Sequence, residues 1–172
     1  MLIEPHILIS SGTHKAKCYP YWDELAYILT NKGYHITQLG IGDQKRICAG
    51  IGNPNIDYVW DKPLKEVEDV VRQVGDFVAI DNFLHHLAHQ LGVRGAVIYG
   101  PSDPRLFGYS DQINIIKKYE YLRKDQLGFY RDYVWEHDKE GWYGAEEVYK
   151  IISNTVSRES SGSKGENCSS SV

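Results

Sequence analysis

A chain of 172 residues has room for one domain with a packed core and too little for two ordinary ones. Its 42% hydrophobic and 24% charged residues are the balance of a globular protein, so a disordered or fibrous chain is excluded. A net charge of −4 argues against nucleic acid or an anionic membrane surface as a partner held by bulk electrostatics.

No stretch approaches the ~20 apolar residues of a membrane span, and Met1 to Pro5 lack the basic and apolar regions of a signal peptide. Cys18, Cys48 and Cys168 form no CxxC pair and no disulfide framework. A reducing, cytoplasmic location is the expectation.

The elements then follow in chain order. His6 to Ser10 is a short apolar run that opens into the small residues Ser10-Ser11-Gly12, the pattern of a buried strand entering a loop. Tyr19 to Lys32 reads as a helix. Pro20 suits its first turn, Asp23 and Glu24 its positive end, and Gly33 its stop. Tyr34 to Leu39 is a strand closed by the loop Gly40-Ile41-Gly42-Asp43, and Ile56 to Trp60 is a third strand, entered through Asn53-Pro54-Asn55.

From Pro63 a helix carries Leu64, Val67, Val70, Val71 and Val74 at helical spacing and ends at Gly75. Asp76 to Ile80 is a strand, Asn82 to Leu91 a helix stopped by Gly92, and Val93 to Tyr99 a strand. Gln112 to Ile116 reads as an edge strand and Ala145 to Val156 as the last helix. Residues 1–156 are therefore expected to form one α/β domain. Ser157 to Val172, nearly all small or polar, is expected to be a disordered tail.

Strands alternating with helices predict a doubly wound parallel sheet, with 3-2-1-4-5-6 as the natural order. Such sheets bind ligands outside the carboxyl ends of their strands, near the switch point. That rule selects Ser10 to Lys17, Gly40 to Asp43, Asp81 to His86 and Gly100 to Tyr109. Lys117 to Tyr143 is rich in Tyr, Trp and Phe. A covering layer over the domain's own core is its simplest reading, with a subunit interface or a sugar-stacking platform as alternatives.

The first loop contains hydroxyls, Lys15 and Lys17, and leads into a helix. Backbone N–H groups beside a lysine make an anion site, although an ordinary solvated loop has the same composition. Neither GxxxxGK[ST] nor GxGxxG is present, which counts against a P-loop and against NAD. In the third loop region Asn82 is a good helix cap, and the helix it opens would turn its positive end to the crevice. His86, near that end, could donate to a phosphate. His85 and His89 lie four apart, a spacing open to a metal pair. Two histidines without a third ligand are more simply hydrogen-bonded or solvated. Gly100-Pro101-Ser102-Asp103-Pro104 says only that a turn follows a strand.

Taken in order, these pieces resemble glycosyltransferase family 9, the ADP-heptose:lipopolysaccharide heptosyltransferase group. The matching segments are Lys17-Cys18-Tyr19-Pro20, Gly40-Ile41-Gly42-Asp43, Pro63-Leu64-Lys65-Glu66-Val67, Asp81 to Gly92 and Gly100 to Pro104. The likeness covers about residues 6–116 and the helix around Glu147-Val148. It implies one half of a GT-B fold, the C-terminal half that holds the nucleotide-sugar donor, and an inverting, metal-independent transferase with no cofactor. By position, Thr13 and Lys17 would meet the diphosphate and Asp43 the ribose or base. Asp81, Asn82 and His86 would line the sugar-phosphate end, with Ser102 in the loop beside them.

The chain departs from the family pattern twice. The glycine after Asp-(Ser/Thr) is replaced by Phe83. The acceptor domain, which carries the family's general base, has no counterpart here, and Asp103 is a candidate that no motif supports. The resemblance therefore implies a partner that completes the site, either an acceptor-domain chain or a second copy of this one, and an ADP-sugar as the ligand. A non-catalytic nucleotide or nucleotide-sugar binding module and a degenerate protein-interaction fragment are the alternative functions.

Overall fold

The computed structural model describes residues 6–10, 14–50, 52–129, 133–138 and 140–162. Six strands form one sheet: β1 (His6–Ser10), β2 (His35–Gly40), β3 (Ile56–Trp60), β4 (Asp76–Ile80), β5 (Arg94–Tyr99) and β6 (Ile113–Ile116). Their order is β3-β2-β1-β4-β5-β6 and every pairing is parallel. The chain leaves β1 toward one edge and β4 toward the other. The crevice between the carboxyl ends of these two strands is thus the place where loops on both sides diverge.

Parallel strands are buried on both faces, and the two-residue period of the side chains feeds two cores. Val78, Ile80, Ala96 and Ile98 point to one core. It is closed by α1 (Trp22–Asn31), by α5 (Ala145–Gly162) and by Trp135 and Trp142 of the aromatic segment. Phe77, Ala79, Val97 and Tyr99 point to the other, closed by α2 (Leu64–Val74) and α3 (Phe83–Leu91). A short helix, α4 (Pro104–Phe107), follows β5.

Most elements lie within a residue of their expected bounds, but several differ, among them α4, which forms where the sequence reads as loop. α1 begins at Trp22 rather than Tyr19. Tyr19 is buried and its hydroxyl donates to the Tyr143 carbonyl at 2.9 Å, so its backbone is held in the approach to the helix and Pro20 precedes it. Lys15–Lys17, read as plain loop, forms a 3-10 turn capped by His14 Nδ1, which accepts from the Ala16 amide. α5 runs on to Gly162, so Ser157 to Gly162 are helical where a tail is expected from composition; 163–172 lie outside the described residues.

The aromatic segment does contribute a covering layer. Trp142 is fully buried, edge-on to Tyr19 at 5.6 Å and to Trp135 at 5.2 Å, an arrangement aromatic rings prefer. Trp135 Nε1 donates to the Tyr121 carbonyl at 2.8 Å. Leu127, Phe129 and Val134 of the same segment are exposed. Among the described residues no helix is long and apolar enough to cross a membrane.

Candidate functional site

The carboxyl end of β4 delivers Asp81 to the crevice, and the 3-10 turn after β1 delivers Lys17. The Lys17 ammonium donates to Asp81 Oδ2 at 2.8 Å and to the Asp81 carbonyl at 3.2 Å. On the other carboxylate oxygen, His85 Nε2 lies 3.3 Å from Oδ1. His85 itself is fully buried. Ser102, from the loop after β5, is also buried and hydrogen-bonds the Asp81 carboxylate. Burial on its own would raise the Asp81 carboxyl. Its bonds to His85, Lys17 and Ser102 outweigh burial and hold it well below the usual carboxylate range.

Asn82 caps α3: its side-chain oxygen accepts from the Leu84 amide at 3.0 Å. The amino end of α3, with its remaining first-turn N–H groups, therefore begins two residues after the Asp81 that holds Lys17. His86 follows one turn on, with Nδ1 2.9 Å from the Tyr109 hydroxyl. Burial, and then the neighbouring His85, depress its ionisation, so His86 is neutral at physiological pH.

His85 and His89 do not act as a pair. His85 belongs to Asp81, whereas His89 Nδ1 lies 2.9 Å from Asp111 Oδ2 and its ring stacks on Tyr109 at 3.7 Å. Among the described residues, the group that could hold a metal is instead Asp81, His85 and His86, whose donor atoms lie within 4.8 Å of one another. The Lys17 ammonium already neutralises that carboxylate, and a metal ion there would have to displace it.

A second feature adjoins this cluster. Leu39, Ile41, Val59, Leu64, Val67 and Phe83 line a mainly apolar cavity of about 400 Å³, rimmed by Gln44, Asp61 and Lys62. It opens at the carboxyl ends of β2 and β3. Its rim is well braced: Asp61 accepts from the Gly42 amide at 2.7 Å, Gln44 from the Ile41 amide at 3.1 Å, and Trp60 Nε1 donates to the Gly42 carbonyl at 2.9 Å.

The sequence-predicted residues thus fall in different places. Lys17, Asp81, Asn82, His86 and Ser102 converge, with Asp81 and Ser102 buried behind the others. Asp43 is exposed on the neighbouring turn, and the cavity wall is made by residues on either side of it, Ile41 and Gln44. Thr13 lies outside the described residues. Asp103 is taken up in the fold: it caps α4 and forms a two-pronged ion pair with Arg105, which holds its carboxyl below the usual range. Sequence reasoning missed Asp61, Lys62 and Gln44. The strand-end rule, applied to β3 as it was to β1, β2, β4 and β5, selects Asp61-Lys62-Pro63. His85 and Tyr109 lie in segments that the rule selects, whereas Gln112, whose side chain donates to the His85 carbonyl at 2.7 Å, carries no such signal.

Residues 3–128 match the family model described as glycosyltransferase family 9 (heptosyltransferase). The chain belongs to glycosyltransferase family 9. The fold of this family 9 chain is shared by solved structures. Escherichia coli heptosyltransferase WaaC with ADP superposes with a TM-score of 0.66 at 21% identity, over 87% of this chain and 44% of WaaC. E. coli ADP-heptose lps heptosyltransferase II gives a TM-score of 0.70 at 19% identity, over 91% of this chain and 48% of that one. The iron-containing dodecameric glycosyltransferase TibC from enterotoxigenic E. coli gives 0.69 at 18% identity, over 96% and 49%. This family 9 chain spans about half the length of these proteins. No curated protein sequence matches it.

Proposed function

We propose that this chain is the donor-binding half of a GT-B glycosyltransferase. It binds a nucleoside diphosphate sugar, and an acceptor domain on another chain or a second copy completes the transfer. The observation that carries the reading is the Lys17 ammonium held on Asp81 at the mouth of the β1/β4 crevice, beside the amino end of α3.

Asp81 and its carbonyl hold the Lys17 ammonium at the crevice, where its positive charge attracts a phosphate oxygen. Asp81 is then a positioning residue: its buried carboxylate would repel a diphosphate, and it acts through Lys17. The amino end of α3 adds backbone donors and a favourable dipole. His86, whose Nδ1 lies 2.9 Å from the Tyr109 hydroxyl, is a further donor to an anion in the tautomer that carries the proton on Nε2. Asn82 adjoins Asp81, Thr13 is proposed for the diphosphate from its place in the sequence, and Asp43 stands beside the cavity that would take the base.

In the transfer step the bond between the sugar and the diphosphate breaks as the acceptor oxygen bonds the anomeric carbon from the opposite face. The diphosphate leaves with the electron pair. Lys17, the α3 amides and His86 stabilise that charge without a metal. The acceptor's proton goes to a base outside this chain. An ADP-sugar is the proposed donor, supported by the ADP-bound WaaC structure and the TibC complex with ADP-D-beta-D-heptose. A cytoplasmic location is proposed in keeping with such a donor.

A thermal-shift series with ADP-, GDP-, UDP- and CMP-sugars tests this. The ADP-sugar is expected to raise the melting temperature of the wild type and to have no effect on Lys17→Ala. Chelation with EDTA is expected to leave the shift unchanged. If no nucleotide stabilises the wild type, donor binding is wrong. If one binds but no sugar is transferred in the presence of acceptor domain, the chain is a binding module.

A further inference from the structure

Phe83 has no part in folding α3 onto the sheet. The buried side of that helix is made by Leu84, Leu87 and Ala88, whereas Phe83, its first residue, is 56% exposed. An exposed aromatic at a helix start adds nothing to a core. Its side chain instead forms a wall of the cavity between the β2 and β3 ends and α2, whose other walls include Leu39, Val59, Leu64 and Val67. Two residues earlier in the chain, Asp81 holds Lys17. One short segment therefore joins an anion-holding cluster to an apolar cavity. An occupant that uses both has a charged part at Lys17 and a flat apolar part at Phe83.

Building on the donor-binding reading above, we propose that Phe83 is the residue that makes this site select for a nucleobase, its ring serving as the stacking face for the base while Lys17 holds the diphosphate. The rim supports a planar ring rather than a polar sugar in the cavity. Gln44 and Asp61 already spend side-chain oxygens on the Ile41 and Gly42 amides, so the interior presents apolar surface with few open polar groups. A cavity of about 400 Å³ has room for a purine. Stacking on an aromatic ring tolerates any base but needs one to be present. Phe83 is thus expected to matter for a nucleotide and not for the bare phosphate chain.

Calorimetric titration of wild type, Phe83→Leu and Phe83→Tyr with ADP and with inorganic pyrophosphate tests the assignment. Leucine keeps an apolar side chain and removes the stacking face; tyrosine restores it. Phe83→Leu is expected to weaken ADP about tenfold and to leave pyrophosphate binding within twofold. Phe83→Tyr is expected to bind ADP like the wild type, and all three proteins to melt at similar temperatures without ligand. Equal loss of ADP and pyrophosphate in Phe83→Leu, or no loss of either, overturns the role of Phe83 while donor binding stands. Failure of the wild type to bind either ligand removes both proposals together.

Discussion

Asp81 carries hydrogen bonds on both carboxylate oxygens, with the Lys17 ammonium on one and His85 on the other. Replacing it by asparagine keeps the shape and removes the charge. Lys17, whose side chain is 17% exposed, then loses the carboxylate that neutralises it in the crevice. Breaking a mostly buried pair in this way costs about 3 kcal/mol, or about 6–12 °C in melting temperature for a domain of this size. The pH dependence follows from the direction of the shift. A carboxyl depressed by folding stabilises the native state above its unfolded value of about 3.9, and that contribution is lost as pH falls below it. Acid unfolding of Asp81→Asn should therefore have a shallower slope below about pH 4 than the wild type, as read by circular dichroism. A parallel pair of acid limbs would show that Asp81 is not the depressed group.

At the scale of the element, α3 was legible end to end. Asn82 is the cap that its position before the apolar stripe announces, and Gly92 closes the helix at φ 68°, where a side chain is strained. Asn82→Ala should cost about 1 kcal/mol in thermal unfolding. Asn82→Ser keeps a capping oxygen, so it separates the two roles the residue is given. Retained stability with weakened ADP binding would place the amide on the ligand, and retained affinity would leave Asn82 as a cap only. What was not legible lies where long-range contact decides local form. Tyr19 and Pro20 have the chemistry of a helix start, but the bond from Tyr19 to Tyr143, far along the chain, holds them outside α1. The strand-end rule reaches the cavity rim at Asp61, but the bracing of that rim was hidden for the same reason. Nothing local to Asp61 says that it will brace Gly42 across two strands.

For the whole molecule, the alternating strands and helices made the parallel α/β architecture readable, because hydrophobic period and turn residues agree along most of the chain. The aromatic segment was readable only as a need to pack. Its partners became clear with Trp135 and Trp142 seated over α1, α5 and the sheet face. Trp142→Ala is expected to destabilise the domain by about 3–5 kcal/mol, at least as much as Asp81→Asn. A loss below 1 kcal/mol by chemical denaturation would mean that the segment is only laid against the core.

The pairing of Lys17 with Asp81 also bears on how fast a ligand arrives. Before anything binds, the Lys17 ammonium is matched by a carboxylate 2.8 Å away, so the pair projects little positive field into solution. The chain as a whole carries −4. A negatively charged nucleotide thus approaches without electrostatic guidance and against mild repulsion. Salt screens that repulsion, so the association rate of ADP in stopped-flow should rise slightly, or stay level, as ionic strength increases. A site built around an unpaired lysine would show the opposite slope. Capture here is left to diffusion, and the cation is released to the ligand only on contact.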